Sequence, residues 1–281
     1  MIVFKKITEL AVFVAEKKKK GATIGFVPTM GALHQGHISL LNNCKQHSQV
    51  TISSIFVNPT QFNDAGDFEK YPVTLEKDID LLELNGCDIL FLPAVQEIYP
   101  AGLTHLEHYD LGYLETVLEG KYRPGHFQGV CQVVYRLLTA VQPHVLYLGQ
   151  KDYQQCMVIK KLIALTGLDI TITIGPTLRE PDGLAMSSRN LRLTERERKQ
   201  AVKIAETLQF IKKEIKPGYI VDLKERAFQY LLGEGFKPDY VAIALKDNLQ
   251  LLDNWDGKQP LVALIAAYLN EVRLIDNMLL N

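Results

Sequence analysis

The sequence predicts an α/β protein, with a Rossmann-like, doubly wound parallel sheet over residues 1–175 and a smaller α+β domain over residues 176–281. Three observations carry that expectation. Short apolar, β-branched runs alternate with stretches of helical apolar spacing as far as residue 174. Two strong breakers, Gly175 and Pro176, follow the last such run. Beyond them the pattern changes to charged helices and then to consecutive strand-like runs.

In order, strands are expected over residues 23–27, 50–56, 88–92, 145–148 and 170–174. Apolar residues at helical spacing in 38–46, 75–84, 130–141 and 153–165 give each intervening helix a face to lay on the sheet. The basic run Lys17 to Lys20, just before Gly21, reads as a solvated helix end, where cations complement the helix dipole and glycine supplies the cap. Residues 57–71 and 119–129 read as long loops carrying Asn, Pro, Gly and aromatics, and long ordered loops are usually functional. In the second domain, Thr194 should cap a charged helix reaching about residue 215, with another helix over 222–232. Strands are expected there over 240–245, 261–268 and 271–275.

Composition narrows the function class. Apolar residues make up 47% of the 281-residue chain and charged ones 22%, so it should fold around an ordinary core. A formal net charge of −1 with no basic half lacks the footprint of a protein gripping many phosphates, so no nucleic-acid partner is expected. No apolar run approaches the roughly 20 residues needed to cross a bilayer. The first ten residues also lack the basic flank, apolar stretch and cleavage site of a secretory signal. A cytoplasmic protein without a membrane partner is the expectation. Cys44, Cys87, Cys131 and Cys156 form no Cys-x-x-Cys pair, which argues for free, mostly buried thiols.

Immediately after the first expected strand comes Pro28-Thr29-Met30-Gly31-Ala32-Leu33-His34-Gln35-Gly36-His37. Ligands bind at this end of the strands in open α/β sheets. A helix start there would offer unpaired N–H groups and partial positive charge, with His34 and His37 on one face and glycines allowing close approach. A capped helix with two surface histidines is the plain alternative; the position after strand one favours phosphate binding. No third ligand at a recognisable interval suggests a zinc site, and neither a Walker loop nor a Gly-x-Gly-x-x-Gly turn is present. A second cluster runs from Glu180 through Met186, Ser187, Ser188, Arg189 and Asn190. Two hydroxyls beside a guanidinium can grip an anion, while a polar linker with an N-cap is the plain reading.

Together these segments resemble the His-Ile-Gly-His and Lys-Met-Ser-Lys-Ser signatures of the nucleotidyltransferase superfamily. Within it, the wording from Pro28 to His37, Phe-Val-Asn-Pro-Thr-Gln-Phe at 56–62, Arg-Pro-Gly-His-Phe at 123–127, Gly-Gln-Lys-Asp-Tyr-Gln-Gln at 149–155 and Leu-Ala-Met-Ser-Ser-Arg-Asn at 184–190 is similar to the pantothenate synthetase family. The loop Asn63-Asp64-Ala65-Gly66-Asp67 departs from that family's usual wording, as does Cys131-Gln132-Val133-Val134, the latter as a packing change on a helix.

The resemblance implies that ATP and pantoate form pantoyl adenylate and pyrophosphate, after which β-alanine displaces AMP. It implies magnesium with the nucleotide and a homodimer, and it assigns no magnesium ligand. Carried over, residues 30–37 would hold the triphosphate, with His34 and His37 stabilising charge on the α-phosphate and leaving pyrophosphate. Gln61 and Gln155 match pantoate-binding residues, and Asn58 would assist near the β-alanine position; the plain reading of Asn58-Pro59-Thr60 is a turn at a strand end. Gly149 and Asp152 match ribose contacts, Lys151 a phosphate-binding lysine and Leu178 a residue whose backbone reads adenine. Gln150 lies inside that block, which can also be read as a strand-to-helix turn with Asp152 as N-cap. Met186, Ser187, Ser188 and Arg189 would close over the phosphates from the smaller domain, excluding water. Arg123 and His126 receive no role from the resemblance, and packing or a dimer contact stands level with catalysis as their reading. The nearest rival function is an adenylyltransferase or ligase for another small carboxylic acid. A tRNA synthetase is disfavoured by size and charge, and a non-catalytic nucleotide binder by the retention of His34, His37, Lys151 and Arg189.

Overall fold

Strands of a parallel sheet covered on both faces need apolar side chains on both, and the first part of the chain meets that need. The computed structural model describes residues 1–62, 65–104 and 106–281. Strand β1 (Ile2–Phe4) leads into α1 (Ile7–Lys19), β2 (Ile24–Thr29), α2 (Gln35–His47) and β3 (Val50–Ile55). A 3-10 turn at Pro59–Gln61 and the short α3 (Ala65–Glu69) precede α4 (Leu75–Leu84), β4 (Ile89–Phe91) and α5 (Val95–Ile98). Then come α6 (Leu118–Tyr122), α7 (His126–Val141), β5 (Val145–Gly149), α8 (Tyr153–Thr166) and β6 (Thr171–Gly175).

Among the described residues these strands form a six-stranded sheet in the order β1-β4-β3-β2-β5-β6, with every pairing parallel. Every residue of β3 and β4 is buried. The order reverses between β2 and β5, so the crevice outside their carboxyl ends is where an open α/β sheet holds a ligand. The five strands expected here are found with shifted ends. β1 was not anticipated, because three residues directly before a helix are too few to show a period. The two expected long loops contain α3, α6 and the start of α7. The loop departure at Asn63 and Asp64 lies outside the described residues.

The chain divides into two units, Met1–Gly149 with Gln155–Pro176 and Gln150–Gln154 with Thr177–Asn281. The second contains α9 (Glu195–Ala201), α10 (Lys203–Glu214), β7 (Gly218–Tyr219), α11 (Val221–Gly233), β8 (Lys237–Leu245), β9 (Asn254–Trp255), β10 (Leu261–Leu269) and β11 (Val272–Leu279). An antiparallel sheet β11-β10-β8 supplies its centre, with β10 buried along nearly its whole length. Thr194 does cap α9, in a reciprocal box with Glu197. The single helix expected to residue 215 is two: the backbone at Val202 stays helical (φ −59°, ψ −25°), so only the hydrogen bonding is interrupted. Residues 150–154, read from sequence with the first domain, cluster with the second. Asn277 Nδ2 donates to the Gln150 and Lys151 carbonyls at 3.0 and 2.8 Å, and the Tyr153 hydroxyl donates to the Lys246 carbonyl at 2.8 Å.

Candidate active site

The carboxyl end of β2 is built around one buried carboxylate. The Thr29 hydroxyl donates to the Ser54 carbonyl at 2.7 Å and accepts from the Gly31 N–H at 3.2 Å, starting a sharp reversal. Gly31 has φ +84°, and a Cβ there would come within 3.0 Å of Asp78 Oδ2. The turn aims the Ala32 and Leu33 N–H groups at the two Asp78 oxygens, both at 2.8 Å. Asp78, 2% exposed on α4, also accepts from the Thr74 hydroxyl at 3.1 Å. Sequence reasoning missed Asp78, since a lone carboxylate on a charged helix gives no local signal.

Helix α2 begins only at Gln35, with His34 as its N-cap. The His34 ring accepts from the Gly36 N–H at 3.1 Å, and the His37 ring accepts from the His34 N–H at 3.2 Å. The two imidazoles thus make a capping box, a job usually done by Ser or Thr with Glu. Both bonds end on Nδ1, which must therefore be unprotonated, leaving each ring's proton on Nε2. The rings stand 4.1 Å apart, so the expected pairing of His34 and His37 is present. Most amides expected to stand unpaired are occupied: Gly31, Ala32, Leu33, His34 and Gly36 all donate to acceptors within the chain. What this segment carries toward an anion is imidazole N–H, together with the positive end of α2.

Beyond β3, the turn Pro59–Gln61 holds Gln61 by three bonds. Its Nε2 donates to Met30 Sδ at 2.7 Å, its Oε1 accepts from Asn58 Nδ2 at 3.4 Å, and its carbonyl lies 2.7 Å from His126 Nδ1. Asn58 is 0% exposed, and its amide also bonds the Gly129 carbonyl at 3.1 Å and the Tyr99 hydroxyl at 2.8 Å. The Asn58 amide is thus enclosed by the chain and held against Gln61. Gly149 ends β5, and Gln155 lies half-buried on α8.

In the second unit, Gln150, Lys151 and Asp152 form a 3-10 turn that runs directly into α8. Lys151 Nζ pairs with Asp152 at 3.2 Å, and Gln150 Nε2 donates to Asn277 Oδ1 at 3.2 Å. The Leu178 carbonyl accepts from the Met186 N–H at 3.0 Å, which leaves one lone pair for another donor. Ser187 caps a 3-10 turn over Ser188–Arg192 by accepting from the Arg189 N–H at 3.3 Å, so this stretch is not an open loop. Arg179, unnoticed in the sequence, clamps the base of the segment. Its guanidinium forks onto Asp276 at 2.6 and 3.0 Å and also bonds the Gly183 carbonyl at 3.0 Å.

Among the described residues, no group of three or more His, Cys, Asp or Glu side chains converges in a way that could hold a metal. No helix among them is long and apolar enough to cross a membrane.

The doubly wound sheet carries paired histidines after β2, and the second unit carries a Met-Ser-Ser-Arg segment. The family model for pantoate-beta-alanine ligase matches residues 2–279. A pantothenate synthetase from Azobacteroides pseudotrichonymphae is 43% identical over 281 residues, covering 99% of both chains. A crystal structure of pantothenate synthetase from Thermus thermophilus superposes with a TM-score of 0.89 at 36% identity, over 99% of both chains. Pantoate-beta-alanine ligase from Francisella tularensis, crystallised with beta-gamma ATP and beta-alanine, gives a TM-score of 0.83 at 40% identity, covering 99% of this chain and 97% of that one. The chain belongs to the pantoate-beta-alanine ligase family.

Proposed function

We infer that the site serves a two-step ligation: the enzyme condenses pantoate with β-alanine at the expense of ATP, giving pantothenate, AMP and pyrophosphate. In the first step the pantoate carboxylate attacks the α-phosphorus, forming a P–O bond and breaking the bond to the β-phosphate, so that pyrophosphate leaves. In the second, the β-alanine amine attacks the acyl carbon, and the C–O bond to AMP breaks. Both reactants of the first step are anionic, so the chain's main task is to neutralise charge where it builds.

The observation that carries this reading is the pair of N–H bonds accepted at Nδ1 by His34 and His37 at the switch point of the sheet, which assigns the ring protons to Nε2. In this reading they donate to α-phosphoryl and leaving-group oxygens, with Met30 to His37 lining the triphosphate. Lys151 and Arg189 add permanent charge, and Ser187 and Ser188 add hydroxyl donors. Gly149 and Asp152 hold the ribose, the Leu178 backbone reads the adenine, and Met186 belongs with Ser187, Ser188 and Arg189 at the phosphates. Gln61 and Gln155 bind pantoate through uncharged amides, which leaves its carboxylate nucleophilic. Residues 30–37 are positioned by Asp78, and Gln61 is positioned by Asn58. Magnesium would accompany the nucleotide and help neutralise its phosphate charge; among the described residues no group of three or more His, Cys, Asp or Glu side chains converges to hold it. A cytoplasmic homodimer is proposed on family grounds, and light scattering on the purified enzyme would read twice the chain mass.

The test is pyrophosphate release from ATP and magnesium, with mass analysis for pantothenate. Pantoate-dependent pyrophosphate, with pantothenate appearing only after β-alanine is added, is the expected result. Release that ignores pantoate would overturn the substrate assignment.

A further inference from the structure

We propose that Glu119, Arg123 and His126 form a positioning relay that fixes Gln61, and through it the pantoate contact; this rests on the reading of Gln61 given above. His126 is 6% exposed in the first turn of α7. Its Nδ1 lies 2.7 Å from the Gln61 carbonyl, which can only accept, so Nδ1 carries a proton. Its Nε2 lies 3.0 Å from Arg123 Nη1, which can only donate, so Nε2 is bare. Two fixed partners therefore select the neutral Nδ1–H tautomer, opposite to that of His34 and His37. Behind them, Glu119 Oε2 stands 3.7 Å from the same Arg123 nitrogen and anchors the guanidinium.

The other end of the Pro59–Gln61 turn is fastened to α7 as well. A Cβ at Gly129 would lie 2.2 Å from the Thr60 carbonyl oxygen and 2.8 Å from Gln61 Cα, so helix and turn touch backbone to backbone. Asn58 Nδ2 donates to the Gly129 carbonyl at 3.1 Å across that contact. The turn is held at two points on one helix, with its Gln61 end held through the imidazole. An apolar side chain could fill the same volume; the imidazole adds one directional bond, to one carbonyl.

Displacing a substrate-positioning group by about 1 Å can cost on the order of 100-fold in rate. The test is steady-state pyrophosphate release by the full-length enzyme, varying pantoate and ATP separately. His126→Gln keeps an acceptor for Arg123 and loses the donor to Gln61; kcat/KM for pantoate should fall about 10-fold or more, with KM for ATP changing less than about twofold. His126→Asn, whose amide reaches the Nδ1 position, should recover to within about threefold. In a Gln61→Ala background, His126→Gln should cost no more than about a further twofold, because the relay acts only through Gln61. If His126→Gln does not fold, Arg123→Gln replaces it and should show the same pantoate-selective loss. Additive losses in the double variant, or equal loss of pantoate and ATP efficiency, would overturn the relay in favour of a packing role. An unaltered pantoate dependence in Gln61→Ala alone would instead remove the Gln61 assignment, and the relay's purpose with it.

Discussion

At the scale of single residues, the site is organised by side chains that occupy backbone amides. Asp78 takes two N–H groups and the histidine box takes two more, so the loop before α2 is held stiffly and leaves anion contact to imidazoles. Asp78→Asn should therefore turn an NH2 group toward a buried N–H, destabilising the fold by about 1–3 kcal/mol and lowering turnover, read by chemical denaturation and assay. His37→Ala should slow adenylate formation strongly with a smaller effect on ATP affinity; lost ATP binding with unchanged saturated turnover would contradict a transition-state role. Burial pushes the Cys87 and Cys131 thiols up to about 12 and the Cys44 thiol up to about 11. All four cysteines are buried, and the Cys44, Cys87 and Cys131 thiols stay protonated at pH 8, so the native enzyme should resist iodoacetamide until unfolded. The histidines and glutamines were legible because they sit in contiguous motifs. Asp78 and Arg179 were not, because each acts on a segment distant in sequence.

At the scale of elements, apolar periodicity located the central strands and long helices, and failed where an element is too short to show a period. It also misjudged the residues before α7: Gly125 adopts φ +81° to start the helix, and the glycine–proline signal there reads equally as loop. Helix α1 shows another limit of local reading. Its cap residue Lys6 makes no side-chain cap, and Glu97, ninety positions away, accepts from the Ile7 N–H at 2.9 Å instead. That bond, followed by Lys6, holds the Glu97 carboxyl below its ordinary range. A lowered folded value means the stabilisation is complete above the unfolded value, about 4.3 for a free Glu, and is lost as pH falls through the folded one. Thermal melts of the parent and Glu97→Gln should thus differ at neutral pH and converge in acid. Gly129→Ala should be more severe, since backbone cannot yield at 2.2 Å; loss of native structure by circular dichroism is expected.

For the whole molecule, near-neutral charge and two units of different character suit a small-molecule ligase. The change from a parallel sheet to a smaller α+β part was readable from sequence; the membership of Gln150–Gln154 in the second unit was not, because it depends on bonds to Asn277 and Lys246. The central claim is that the carboxylate, having attacked the α-phosphate, leaves one of its oxygens with AMP. The direct measurement is turnover of pantoate labelled with 18O in its carboxylate, with mass analysis of both phosphate products. One 18O atom in AMP and none in pyrophosphate is the predicted result. Label in pyrophosphate or inorganic phosphate, with AMP unlabelled, would mean activation at another phosphorus and would contradict the acyl-adenylate route.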